Sequence, residues 1–171
     1  MQASELPQDE YNPYYKSYIE ILGTLEMDQA LEKSLQDLKA FIGDLSPEIL
    51  SHAYADGKWT VAEVLLHLID AERVFQYRAL RFARKDGTDL PGFDQDEYVP
   101  NSNAASRTKE SLLEEYTNVR KSSLSLFASF GAGELASIGT ANSTPMSVRA
   151  LGFVISGHQA HHFKILRERY L

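Results

Sequence analysis

Apolar side chains recur along this chain at intervals of three and four residues, the spacing that puts them on one side of an α-helix. Ala30, Leu31, Leu35, Leu38 and Ile42 form the first such stripe. Val61, Val64, Leu65, Leu68, Ala71, Phe75, Ala79 and Phe82 form the second. Thr60 and Glu63 stand at its start as a capping box, in which the threonine hydroxyl accepts an amide and the glutamate reaches back. A helix is therefore predicted from about Val61 to Lys85, stopping before Gly87. Leu112, Leu113, Tyr116, Val119, Leu126, Phe127 and Phe130 predict a third helix over Thr108 to Phe130. Leu151, Val154, Ile155, Ile165 and Leu166 predict a fourth, for which Thr144-Pro145 and Ser147 are competing starts.

The intervening segments lack this period. Residues 1–12 read as a polar lead-in ending at Asn12-Pro13, a capping pair, and Tyr14 to Leu22 reads as a short helix broken at Gly23. Gly43 to Lys58 forms a connection with room for one helical turn around Pro47 to Leu50. The stretch Asp86 to Ser106 is too long for a tight link between neighbouring helices and is expected to cross the end or side of the domain. Gly131 to Ser143 reads as a second loop, and no segment reads as a strand. The fold class is all-α: a four-helix bundle with a long crossover connection, with residues 1–171 in a single domain.

Composition narrows the chemistry more than the fold. None of the 171 residues is cysteine, which removes disulfides, thiolate metal sites and cysteine nucleophiles. Any metal must be held by histidine nitrogen or by oxygen. The 24 acidic residues outweigh the 17 basic ones, for a net charge of -7, and no basic block could track phosphates, so nucleic acid is not an expected partner. No run reaches the roughly 20 apolar residues of a membrane span, and the first residues lack the basic-then-apolar order of a secretory signal. A cytoplasmic protein without a membrane partner is expected.

Three of the five histidines fall between His158 and His162. His158 and His162 are one turn apart on the same helix face, with His161 within reach but rotated off it. His67 lies on another predicted helix, about 10 Å from its start, while His162 lies about 10 Å from the end of the last helix. Antiparallel packing would bring the three to one level. Three histidines with an open fourth position are typical of catalytic zinc. The same residues also fit a hydrogen-bonded structural cluster, or unrelated surface histidines, and His161 as the third ligand is a lesser option. His52 falls in a loop with no supporting pattern.

Glu63 and Asp70, four before and three after His67, are candidates to steer its ring or to hold a water, and equally fit solvated helix charges. Glu72 falls toward the apolar face, so its carboxylate needs a donor, Arg149 or Arg120, in a structural ion pair. Tyr14, Tyr15, Tyr18 and Trp59 fit either an apolar substrate cavity or packing at the bundle end. Phe93, Asp94 and Tyr98 belong to the long connection that could cover the site.

The segment Lys58-Trp59-Thr60-Val61-Ala62-Glu63-Val64-Leu65-Leu66-His67-Leu68-Ile69-Asp70-Ala71-Glu72-Arg73 resembles the second-helix signature of the DinB-like superfamily, also called the DinB/YfiT group. Gly157-His158-Gln159-Ala160-His161-His162 resembles its second hallmark, and Leu90-Pro91-Gly92-Phe93-Asp94 the intervening loop of one branch. The resemblance covers roughly residues 12 to 171. It implies a bundle of crossed topology and a divalent metal on His67, His158 and His162, with His161 adjacent but not a ligand.

Zinc or nickel is the first expectation for that ion, with iron or manganese also suited to such ligands. Relatives include transferases of low-molecular-weight thiols such as bacillithiol, and thiol-dependent isomerases. A metal-dependent thiol transferase acting on an electrophilic substrate is therefore the leading expectation. A hydrolase using bound water is the alternative, as is a non-catalytic helical interaction module with a structural metal or a histidine cluster. Homodimer formation is expected by family analogy alone.

Overall fold

The computed structural model describes residues 1–171. Single 3-10 turns at Ala3–Glu5, Gln8–Glu10 and Pro13–Tyr15 lead into the short helix α1 (Lys16–Glu20). Then come α2 (Met27–Asp44), α3 (Val61–Ala83), a one-turn α4 (Gln95–Tyr98), α5 (Lys109–Ala128), a one-turn α6 (Ala132–Leu135) and α7 (Val148–Arg169). The four long helices are those announced by the apolar stripes. Thr60 and Glu63 make the capping box of α3, with Glu63 N 3.3 Å from Thr60 Oγ1 and Thr60 N 2.7 Å from Glu63 Oε2. Ser147, rather than Thr144, caps α7, its hydroxyl accepting from Ala150 N at 3.1 Å. Lys85, beyond the end of α3, takes a left-handed φ of 59°.

The helices form a ring in which α2 touches α5 and α7, and α3 touches the same two. Helices α2 and α3, though consecutive, are therefore diagonal, as are α5 and α7. Direction follows from pairs of contacts. Ser34 meets Ser156 and Phe41 stacks on Phe163, so α2 and α7 run parallel. Arg73 reaches Glu115 and Gln76 reaches Ser123, so α3 and α5 also run parallel. His67 meets His158 while the Tyr170 hydroxyl, just past α7, donates to the Trp59 carbonyl ahead of α3, which makes those two antiparallel. Two adjacent parallel helices can be joined only by a chain that runs back their full length, about 34 Å for 23 residues at 1.5 Å each. This is why the connection between Ala83 and Lys109 is long, and why it passes along the side of the bundle.

The apolar core is divided in two. One part gathers Leu31, Phe75, Phe82, Leu151 and Phe153, and the other Leu38, Ile42, Leu65, Leu68, Leu112 and Phe163. Between them lies a buried polar layer. Arg120 grips Glu72 bidentately, Nε to Oε1 at 2.7 Å and Nη2 to Oε2 at 2.9 Å, and its remaining arm reaches Ser34 Oγ. Ser123 Oγ donates to Glu72 Oε1 at 2.6 Å, and Gln159 Nε2 to the Ser34 carbonyl at 2.8 Å. Of the two partners the sequence offered Glu72, Arg120 is the one used. Arg149 instead pairs with Glu10 in the N-terminal segment.

The region read as an unstructured loop contains a hairpin. Strand β1 (Ile138–Ala141) pairs antiparallel with β2 (Thr144–Ser147), with Gly139 opposite Met146 and Ala141 opposite Thr144. The turn residues Asn142 and Ser143 both have positive φ, 52° and 56°, the backbone of a two-residue hairpin turn whose twist matches its strands. Gly139 lies so close to Phe82 that a β-carbon there would sit 1.9 Å from the ring, so the hairpin packs flat on the end of α3. A further bridge joins Ala141 to Leu90 of the long connection.

Candidate metal centre

His67 is seven residues past the Thr60 cap of α3, and His158 and His162 are on successive turns of antiparallel α7. Their Nε2 atoms converge. His158 Nε2 lies 3.1 Å from His67 Nε2 and 3.0 Å from His162 Nε2, and a metal-ligating set of these three has all its ligand atoms within 4.8 Å of one another. His67 and His158 are buried and His162 is half-buried.

Hydrogen bonding alone does not account for this convergence. A neutral imidazole carries one N–H, so with His158 between two others, either one proton serves two acceptors or one lone pair serves two donors. A cation at the centre of the three nitrogens uses every lone pair. Bonds of about 2.0–2.1 Å at tetrahedral angles would hold the nitrogens about 3.3 Å apart, close to the two distances found at His158. The protonation states agree. Burial lowers the pKa of His67 to about 4 and, with help from His67 and His161, that of His162 to about 3. Burial, then His162 and His67, holds His158 well below its usual value. All three rings are neutral at pH 7, the form that ligates a metal.

The surroundings are aromatic. A β-carbon on Gly157 would lie 1.9 Å from the Tyr18 carbonyl oxygen, so only glycine lets α1 lie directly on α7. That contact seats Tyr18 5.4 Å from the His158 ring and 4.9 Å from His161. Trp59 lies 5.1 Å from His67 on another side. His67 and His158 face a cleft of about 570 Å³ lined also by Tyr14, Tyr15, Tyr18 and Phe75, and by Phe93, Asp94 and Asp96 of the long connection. A second cavity of about 320 Å³ borders His162, Trp59, Lys58 and Arg169, and Asp96 lines this one as well.

The tyrosines, Phe93 and Asp94 thus reach the site as the sequence suggested, while Trp59 serves the second cavity and Tyr98 only packs on Phe93, 5.3 Å away. His161 stands outside the triad. His52 is exposed against Tyr170. Neither carboxylate flanking His67 steers it: Glu63 is consumed by the cap, and Asp70 lies 3.7 Å from Arg73. Asp96 and Arg78 were not singled out by sequence, because an aspartate in an aperiodic loop and an arginine on a long helix carry no pattern of their own.

No curated protein matches the chain significantly. A solved structure of YfiT from Bacillus subtilis, described as a probable metal-dependent hydrolase with an unusual four-helix bundle topology, superposes with a TM-score of 0.72. That likeness covers 95% of this chain and 90% of the other at 15% identity, and shows a shared fold. The sequence profile of the DinB superfamily matches residues 30–166, which span α3, α5 and nearly all of α2 and α7, with all three histidines. The chain belongs to the DinB superfamily.

Proposed function

We propose that this protein is a divalent-metal-dependent hydrolase of a small organic substrate. The observation that carries the reading is the convergence of three neutral imidazole nitrogens beside a cleft of about 570 Å³. The description of the similarly folded YfiT as a probable metal-dependent hydrolase supports it. Zinc or nickel suits three histidine nitrogens best, with iron and manganese also able to occupy them. A divalent ion held by His67, His158 and His162 would supply Lewis acidity and would activate a water as nucleophile.

The chain's own groups supply the rest. Burial raises the Tyr18 phenol well above its ordinary pKa, so it stays protonated, 3.4 Å from the Tyr14 hydroxyl. The two hydroxyls can donate to the oxygen of a scissile carbonyl. Asp96, which lines both cavities, would accept the proton of the attacking water. Tyr15, Phe75 and Phe93 hold an apolar part of the substrate and exclude bulk water. Thiol transfer would need both its thiol and its electrophile from solution, since the chain has no cysteine.

The test compares chelator-stripped with metal-reconstituted protein on p-nitrophenyl esters and on a thiol-transfer pair, bacillithiol or glutathione with monochlorobimane. Hydrolysis that depends on the metal and falls about 10²-fold or more in Asp96→Asn is expected, the usual contribution of a general base. Equal rates with and without metal, or thiol transfer without hydrolysis, would overturn the reading.

A further inference from the structure

Arg78 is 6% exposed, yet it has no anionic partner. The ion pairs formed by arginines in this protein belong to Arg73, Arg81, Arg107, Arg120 and Arg149. The polar partners of Arg78 are neutral: Nη2 donates to the Pro91 carbonyl at 3.1 Å, and the guanidinium also lies against the Tyr15 hydroxyl. A guanidinium has five N–H donors and a permanent charge, and withdrawing it from water without a counter-ion is costly. Arg120, just as buried, shows the usual remedy in its bidentate carboxylate.

Arg78 borders a small cavity of about 120 Å³ with Asn12, Asn142 and Thr144, all bearing neutral polar groups. Tyr15, Gly92, Phe93 and Asn142 line both this cavity and the large cleft at the histidines. The two spaces are therefore neighbours along one wall. Helix α3 passes both spaces: His67, Ala71 and Phe75 line the cleft and Arg78 the small cavity, following one another at intervals of four, four and three. From His67 to Arg78 the helix rises about 16 Å, and side chains lean toward the helix start, which draws the guanidinium back toward the cleft.

We infer that Arg78 is the anchor for an anionic group, a carboxylate or phosphate, at the far end of the substrate. The inference deepens the hydrolase reading and rests on it for the word substrate. The stripe describes the molecule that fits: a hydrolysable bond at the histidines, an apolar middle against Phe75 and Tyr15, and a terminal anion on Arg78 on the order of 10 Å or more away. Arginine suits that end because its planar fork matches two oxygens at once. Asn12 and Asn142 add neutral hydrogen-bonding groups without competing charge.

Binding to chelator-stripped protein tests this independently of any activity, because no metal is present to attract the anion. Octanoate, octyl phosphate and neutral octanamide are titrated calorimetrically into wild type, Arg78→Lys and Arg78→Gln. One of the anions should bind wild type at least tenfold more tightly than octanamide. That preference should shrink in Arg78→Lys and vanish in Arg78→Gln, and whichever anion leads identifies the group. Equal affinity for all three probes in wild type overturns the inference without any variant having to fold. So does an anion preference that persists in folded Arg78→Gln. A protein that passes this test but never hydrolyses an ester keeps its anion site and loses only the hydrolase reading.

Discussion

His161 is adjacent in sequence to His162, yet its ring lies against Tyr18 and outside the set of converging nitrogens. The separate substitutions His67→Ala, His158→Ala and His162→Ala should each reduce metal content from near one ion per chain to a small fraction. His161→Ala should leave it nearly unchanged, as measured by inductively coupled plasma mass spectrometry on untagged protein. Loss of metal from the His161 variant alone would reverse the assignment. At Glu72, removal of the carboxylate leaves the fully buried Arg120 uncompensated, so Glu72→Ala should cost about 3–5 kcal/mol in urea denaturation. A cost near that of a surface substitution would show that the charge is relieved in some other way. These residues were legible in the sequence for a common reason. A carboxylate on an apolar stripe and histidines at helical spacing break a strong periodic expectation. Asp96 and Arg78 break none, and only their places in the folded chain mark them.

Among the elements, the five-residue α1 has a direct hold on the site, and its hold is Gly157. Gly157→Ala would force the α1 backbone away from α7, at a cost of about 1–3 kcal/mol for overpacking. Hydrogen exchange should then quicken over residues 13–22 while the middle of α3 stays protected. Equal protection in both proteins would mean that α1 is held by other contacts. The four long helices were readable because each buries a continuous stripe. The hairpin was not, because its strands are four residues long and alternate poorly: Ile138 is exposed and Gly139 buried. What orders it is tertiary, the flat approach of Gly139 to Phe82 and the bridge to Leu90. Asn142-Ser143 was the available signal, weaker than an asparagine followed by glycine.

For the molecule as a whole, three neutral histidines, two buried and one half-buried, make stability depend on pH. An unfolded histidine binds its proton near pH 6.5, while folded His67 does so only at about 4. As pH falls from about 6.5 toward 4, the unfolded chain takes up protons that the folded chain refuses, so metal-free protein loses stability through this window. His67 alone accounts for on the order of 3 kcal/mol of this. The urea midpoint of the metal-free protein should drop steeply between about pH 7 and pH 5, and less so in His67→Gln. An identical drop in both would place the titrating group elsewhere. The crossed arrangement of the helices has its own result at this scale. The returning chain between α3 and α5 carries Asp96 past the histidines with an open space on each of its sides. Under the proposed hydrolysis the two products would have separate spaces to leave by, one toward Tyr14 and one toward Trp59 and Arg169, and turnover would require no helix to swing aside.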